Sequence, residues 1–319
     1  MSIQSSQWWA VALAAEVTAA KPKGVSVDNE PIVLFRDQSG AIRALEDRCP
    51  HRRMPLSLGR VREDGLLQCG YHGWSFDGVT GQCKAIPNLL VGEKVPSTYG
   101  VFPYRAIEQN DFIYVAAGTA LQALPPNLYA SPKKIFSGRH TVGLAHAEFI
   151  AALMDGPQLL LDCAGIRISD TLIADPHLED GWLVMERAAF WLGQTQFDGF
   201  VREYKLIFRL AINPETAESW LSFTHPDSSV VAVAHLAITP STRGTTAILW
   251  RSFASTAAGV RSTLLRSAAA LGRAPITVRA HIDMGAVARL LVGPSEHWQR
   301  DNREPGLYGT ILTKERARL

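Results

Sequence analysis

ALEDRCPHRRMPLSLGRVREDGLLQCGYHGWSFDGVTGQCKAIPN, residues 44–88, is the stretch from which the fold can be read. It holds two short pairs, Cys49-Pro50-His51 and Cys69-Gly70-Tyr71-His72, with seventeen residues between His51 and Cys69. Thiolate and imidazole are the side chains that bind soft and borderline metals. Two chemistries use such a set. A structural zinc ion takes Cys and His in a tetrahedral array, but its half-sites favour C-x2-C spacing. A [2Fe–2S] centre can take two thiolates on one iron and two imidazoles on the other, and the order, spacing and Gly, Pro and aromatic flanks agree with it better. The charge count gives the reason for a mixed set. Two ferric ions, two sulfides and two thiolates sum to zero, where four thiolates would leave a dianion that resists an electron.

The same stretch resembles the Rieske domain of bacterial non-haem iron oxygenases, the group that includes vanillate demethylase. The resemblance implies a [2Fe–2S] cluster on Cys49, His51, Cys69 and His72. Respiratory Rieske proteins are less similar. They carry a disulfide between the cluster loops, where this chain has Met54 and Tyr71, and a Ser and a Tyr that donate to sulfur, where it has Trp74 and Phe76. Fewer donors to sulfur stabilise the reduced form less, so the resemblance implies a potential low for the class, matched to a nicotinamide-fed reductase. It also implies imidazoles whose outer nitrogens ionise on oxidation.

Composition sets outer bounds. The 319 residues suit two domains, and 47% hydrophobic with 19% charged residues is an ordinary globular balance. A net charge of +2 argues against nucleic acid as the main partner. Arg48, Arg52, Arg53, Arg60 and Arg62 cluster around the first half-motif. They read equally as a landing patch for an acidic electron donor or as a solvated, partly paired loop surface. Of four cysteines, Cys83 and Cys163 remain, read as reduced thiols. Trp8 to Ala15 is apolar but too short to span a membrane and lacks a basic leader. These features predict a cytoplasmic chain with no membrane partner.

Residues 1–118 read as short strands and turns: PIVLFRD and AIRALED split by Ser39-Gly40, with Asp111 to Gly118 closing the domain and the proline-rich Ala123–Asn127 as connector. Residues 119–319 form the second domain. His146 to Cys163 has a helical pattern broken at Gly156-Pro157, strand-like runs fill about 181–256, and His281 to Val292 is again helical. The resemblance makes this an α+β chain: an all-β Rieske domain, then a helix-grip (START-like) domain whose strands wrap a long C-terminal helix.

That resemblance also implies a mononuclear ferrous site on two His and a carboxylate, written N-x-x-D-x-x-H-x4-H with a late acid. Aligned on Leu153-Met154-Asp155, the Asp position is Asp155, the Asn position is Ala152, the His positions are Gln158 and Cys163, and the late acid is Asp283. Both imidazoles are replaced, which predicts no catalytic iron here. Two other placements stay open: a displaced triad of His140, His146 and Glu148, and a new site at Asp162-Cys163. His177, His225, His235 and His297 stand alone and read as ordinary core or surface histidines, and Trp182, Trp191, Trp220 and Trp250 as core on strands facing an interior.

No nucleotide fingerprint is present, so electrons must come from another protein, a ferredoxin or a flavin/[2Fe–2S] reductase. The family's head-to-tail trimers place one subunit's cluster beside its neighbour's iron, bridged by the helix acid, here Asp155. The expectation is therefore a subunit that assembles as a homotrimer, or with an active paralogue, and relays electrons or scaffolds. The alternative is an active oxygenase, an aromatic hydroxylase or O- or N-demethylase, with an unusual site. A free-standing carrier needs only about the first hundred residues, which counts against it.

Overall fold

Asp37 organises the first hairpin. Its carboxylate accepts the Ser39 N–H at 2.9 Å and the Arg43 Nε at 2.7 Å, so the Ser39-Gly40 turn is pinned by a side chain of its own loop. The turn joins β3 (Glu30–Arg36) to β4 (Ile42–Glu46) in the register Val33↔Leu45. These details come from a computed structural model that describes residues 7–90, 93–117, 134–193, 205–255 and 259–292. They fall into two units, residues 7–117 with Thr239–Leu249, and the described residues of Leu128–Ile238 and Trp250–Leu319.

In the first unit, β1 (Trp9–Leu13), β2 (Lys23–Val27), β3, β4, β9 (Pro103–Gln109) and β10 (Phe112–Ala116) form a six-stranded sheet ordered β1-β10-β9-β4-β3-β2. The apolar opening segment is thus a sheet strand. Between β4 and β9 lies a four-stranded sheet, β5 (Arg60–Val61), β6 (Leu67–Gln68), β7 (Ser75–Phe76) and β8 (Cys83–Ala85), paired in sequence order. Two apolar clusters result. One packs Val11, Ile32, Leu34 and Ile113, and the other packs Val33, Phe35, Leu45, Leu67 and Phe76 around Cys49 and Cys69. Alternate residues of β3 face opposite cores, as a two-residue period requires.

The second unit holds β11 (Phe136–Val142), α1 (His146–Asp155), α2 (Pro157–Leu160), β12 (Leu161–Cys163), β13 (Ile166–Glu179), β14 (Trp182–Trp191), β15 (Leu206–Ile212), β16 (Ser219–Thr224), β17 (Val230–Pro240), β18 (Thr246–Ala254), α3 (Val260–Ala270), β19 (Ile276–Val278) and α4 (Met284–Val292). Seven strands form one sheet ordered β11-β18-β17-β16-β15-β14-β13, and β12 pairs with β19. The predicted strands after residue 181 match β14 to β18. β15 alternates buried and half-buried residues, while nine consecutive residues of the central β17 are buried.

The loop end of the β17–β18 hairpin groups with the first unit. There the Thr239 hydroxyl donates to the Ala10 carbonyl at 2.7 Å, and the Asp28 and Asn29 N–H groups donate to Pro240 and Ser241 at 2.9 and 2.8 Å.

Two local expectations are corrected. The helical pattern from His146 to Cys163 ends earlier: Pro157 starts a fresh turn, Leu161 is extended (φ −111°, ψ 139°), and Leu161 to Cys163 pair as a strand with Val278 to Ile276. The last helix starts at Met284 instead of His281, because Asp283 caps it by accepting the Ala286 N–H at 2.9 Å. Ile166–Glu179 and Val260–Ala270, not assigned from sequence, are an edge strand and a helix. Of the four tryptophans, Trp191, Trp220 and Trp250 are buried and Trp182 is half-buried. Gly118, the connector Ala123–Asn127 and His297 lie outside the described residues.

Candidate metal centre

The two cluster loops repeat one hydrogen-bond pattern. Cys49 N–H donates to the Met54 carbonyl at 2.9 Å while the Arg53 N–H returns to the Cys49 carbonyl at 2.8 Å. Cys69 N–H donates to the Trp74 carbonyl at 2.8 Å while the Gly73 N–H returns to the Cys69 carbonyl at 3.1 Å. Both returning residues are left-handed, Arg53 at φ 58° and Gly73 at φ 73°. Close approach of the loops needs Gly59, where a Cβ would lie 1.9 Å from the Gln68 carbonyl oxygen.

Cys49 and Cys69 are buried, and their thiols adjoin each other. Burial pushes the Cys49 thiol up to about 11, and the Cys69 thiol adds to the rise. His51 and His72 are exposed, with ring centroids 4.5 Å apart. Trp74 stacks parallel on His51 at 5.0 Å, Tyr71 covers His72 at 3.9 Å, and Tyr99 lies 5.1 Å from Trp74. Loss of water around the His51 ring, then repulsion from His72 and Arg52, lowers its pKa below the ordinary imidazole value. A thiol pair inside and an imidazole pair outside is the donor division a two-iron centre needs. No three His, Cys, Asp or Glu among the described residues, these four included, converge as a single bound ion would require. The Ser75 hydroxyl is committed to the Gly73 carbonyl at 3.2 Å, and Phe76 is fully buried.

Two of the five clustered arginines have partners: Arg62 pairs with Asp64 at 2.9 Å, and Arg60 Nε donates to Gln68 at 2.9 Å. Arg48 is half-buried. Arg52 and Arg53 are exposed on the first cluster loop, with no ion pair among the described residues. Cys83 is a buried free thiol. No helix among the described residues is long and apolar enough to cross a membrane.

The residues aligned with a mononuclear site lie in the second unit. Asp155 ends α1 and is half-buried; burial raises its carboxyl pKa, opposed by Arg187. Gln158 donates to the Asp170 carboxylate. Cys163 sits on β12, its thiol pushed up to about 12 by burial and then by Asp162. Asp283 is exposed and serves as the α4 cap. Of the displaced set, His140 Nδ1 accepts from Trp250 Nε1 at 3.2 Å, His146 Nε2 lies 3.1 Å from the Ile238 carbonyl, and Glu148 caps α1 at the Ala145 N–H. His177 is exposed beside Glu179 at 3.6 Å, and His225 lies 3.2 Å from the Ser262 hydroxyl.

Two buried groups depart from the sequence reading: His235, read as standing alone, has an acidic partner, and Arg187 is buried as well. His235 pairs with Glu218, both under 4% exposed, and Trp220 stacks on the imidazole at 4.3 Å. His235 lies on a strand-like run and Glu218 just before another, and nothing in the sequence pairs them. Arg187, 6% exposed on β14, was not singled out at all.

Residues 7–96 match the model of the Rieske [2Fe–2S] domain. The vanillate O-demethylase oxygenase subunit of Pseudomonas sp. is 43% identical over 110 residues, 34% of this chain and 29% of that one. The chain contains a Rieske [2Fe–2S] domain, and it is similar to a Rieske oxygenase subunit beyond that domain's matched residues only in part. The chloroplast protein TIC 55 of Arabidopsis thaliana is 34% identical to this chain over 157 residues, 47% of the chain and 29% of TIC 55. The chain thus spans less than a third of either relative. A dicamba monooxygenase structure shares the fold over 98% of this chain and 88% of its own, with a TM-score of 0.60 and 21% identity. The Rieske domain is all-β and carries the [2Fe–2S] cluster, and the rest of the chain has the sheet-rich form of a Rieske oxygenase subunit.

Proposed function

We propose that this chain takes electrons from a ferredoxin or a flavin/[2Fe–2S] reductase and serves an active oxygenase partner subunit, binding no catalytic mononuclear iron itself. The observation that carries this reading is the state of the second-unit residues. Gln158 offers a neutral amide already turned to Asp170, Cys163 a soft thiol in place of an imidazole nitrogen, and Asp283 a carboxylate used as a helix cap. A ferrous site of this class needs two imidazoles and an acid on one open face, and these donors do not fit it.

Bound to Cys49, His51, Cys69 and His72, a [2Fe–2S] cluster supplies one-electron chemistry. The chain's own residues set the terms. The buried thiols fix one end in an apolar core, and the exposed imidazoles present the other end to a partner. Arg52 and Arg53 beside them give an acidic donor a complementary surface and speed its encounter. Asp155 is the residue assigned to the bridge between subunits of a trimer, or of a mixed ring with an active paralogue. The partner's reaction is a hydroxylation or a demethylation of a small aromatic molecule, the class that the name vanillate O-demethylase gives for one relative. The relatives include both chloroplast and bacterial proteins, and the cytoplasm is the compartment proposed here.

The test is the ratio of iron to acid-labile sulfide in anaerobically purified protein, after ferrous iron is added and the sample desalted. A ratio of about 1:1 is the expected result. A ratio near about 3:2 overturns the reading, since it requires a mononuclear iron, and the chain is then assayed alone as an oxygenase.

A further inference from the structure

A buried carboxylate brackets the first cluster loop. Asp47 is 7% exposed and stands two residues before Cys49. Its Oδ1 accepts the Ser57 N–H at 2.7 Å, and its Oδ2 accepts the Ser57 hydroxyl at 2.6 Å. One residue thus occupies both oxygens, and the hydroxyl bond has the length of an O–H···O⁻ bond. No cation pairs with Asp47 among the described residues. The span from Asp47 to Ser57 encloses the loop's own bonds between Cys49, Arg53 and Met54. Asp47 is also fixed to β3, since its N–H donates to the Pro31 carbonyl at 2.9 Å. Ser57 follows Leu56, which is buried in the apolar cluster around Cys49 and Cys69. β2 lies against the pair: a Cβ on Gly24 would fall 2.9 Å from Ser57 Oγ and 3.2 Å from Asp47 Oδ2.

We infer that Asp47 is a positioning residue for the [2Fe–2S] cluster: with Ser57 it clamps the base of the first cluster loop, and its buried charge lowers the cluster's reduction potential. This rests on the reading that Cys49, His51, Cys69 and His72 hold the cluster, and it does not depend on the mononuclear site. The clamp ties the chain entering the loop to the chain leaving it, outside the loop's own hydrogen bonds, so the segment carrying Cys49 and His51 has less freedom to open. The charge acts on the electron. An added electron makes the cluster more negative, and a fixed anion nearby opposes it. Two residues of chain keep the Cα atoms of Asp47 and Cys49 within about 7 Å, and burial weakens the screening that water would give. Arg48, Arg52 and Arg53 in the same stretch are half-buried or exposed, so water screens their opposite effect. The charge works in the same direction as Trp74 and Phe76, which offer sulfur no hydroxyl.

The experiment is redox titration of the full-length holoprotein, followed by the Rieske EPR signal, with iron and sulfide content and the rate of cluster loss to a ferrous chelator. Asp47→Asn is close in shape, and its amide accepts from the Ser57 N–H and donates to Ser57 Oγ, so it removes the charge and keeps the clamp. It is expected to hold its cluster and to shift the reduction equilibrium about tenfold towards the reduced form. That is the effect of one unit charge at about 12 Å with an effective dielectric of about 20, and it equals about 59 mV upward for one electron. Ser57→Ala keeps the charge and loses the hydroxyl bond. It is expected to lose its cluster about tenfold faster, the factor given by roughly one charge-assisted hydrogen bond, with a potential at or below that of the wild type. A change of shape alone would move the potential of both variants the same way. An unchanged potential in cluster-bearing Asp47→Asn overturns the inference, as does a raised potential or an unchanged rate of cluster loss in Ser57→Ala. If Asp47→Asn holds no cluster, Ser57→Ala decides by its potential and its rate. A mononuclear iron in the wild type overturns the functional reading and leaves this inference standing, because the potential is read on the cluster at any iron-to-sulfide ratio.

Discussion

Arg53 and Gly73 occupy the same place in the two cluster loops: each is left-handed, and each returns its N–H to the carbonyl of the cysteine four residues earlier. One loop fills that place with the residue suited to it and the other does not. Non-glycine residues in this region carry strain of about 1–2 kcal/mol. Arg53 retains it, which is consistent with a side chain kept for its charge on the cluster face.

Replacing Gly73 with Ala adds that strain and drives a Cβ to 2.9 Å from Pro87 Cγ. The expected outcome is a lower urea midpoint and less cluster per chain, by absorbance against protein. Arg53→Gly removes strain at some entropic cost, so its stability stays within about 0.5 kcal/mol of wild type. Equal losses in the two variants would mean the loops are not equivalent.

Cys49→Ser replaces the thiolate proposed to hold the cluster with a poor ligand. The visible and EPR signature of the Rieske centre is expected to disappear while far-UV circular dichroism persists. An unchanged visible spectrum would remove Cys49 from the ligand set.

Arg52→Glu combined with Arg53→Glu reverses the exposed charge beside His51. Stopped-flow reduction by an acidic ferredoxin is expected to slow by about tenfold or more at low salt and to converge on wild type at high salt. A salt-independent rate in the wild type would reassign the arginines to a solvated surface.

Glu218 and His235 are a buried ion-pair candidate, so removing one partner strands the other. His235→Leu is expected to destabilise the protein by about 3 kcal/mol, whereas replacing both with apolar residues recovers much of the loss. A double-mutant cycle by urea denaturation reads the coupling.

Asp155 has a carboxyl pKa raised by burial, with Arg187 acting against the rise. A folded pKa above the unfolded one means the native state holds its proton more tightly, so this group removes stability as pH rises. The loss begins above the ordinary value of 3.8 and is complete above the raised one. Asp155→Asn is therefore expected to be at least as stable as wild type at pH 7 by thermal melting, and to slow electron delivery to a partner subunit. A large loss of stability would give the carboxylate a structural role.

The cysteine and histidine pairs were legible because metal chemistry allows few residue types and the loops that carry them are short. Cys49-x-His51 and Cys69-x-x-His72 are local, and the thiol and imidazole pairs follow from them. β14 to β18 were legible from apolar runs long enough to need burial. By contrast, the edge strand Ile166–Glu179 is mostly exposed or half-buried and has no apolar run to mark it. Leu161 to Cys163 continue a helical pattern, yet pairing with Ile276 to Val278, more than a hundred residues away, makes them a strand.

The sequence by itself determined that Cys49, His51, Cys69 and His72 offer two thiolates and two imidazoles in two short pairs, since residue identity decides which atoms can donate to a metal. Only the tertiary structure decided that Arg187 closes α1 and that Glu218 meets His235 in the core. Both depend on strand register. Partners set by long-range pairing leave no period in the chain, so they become visible only when the strands are side by side.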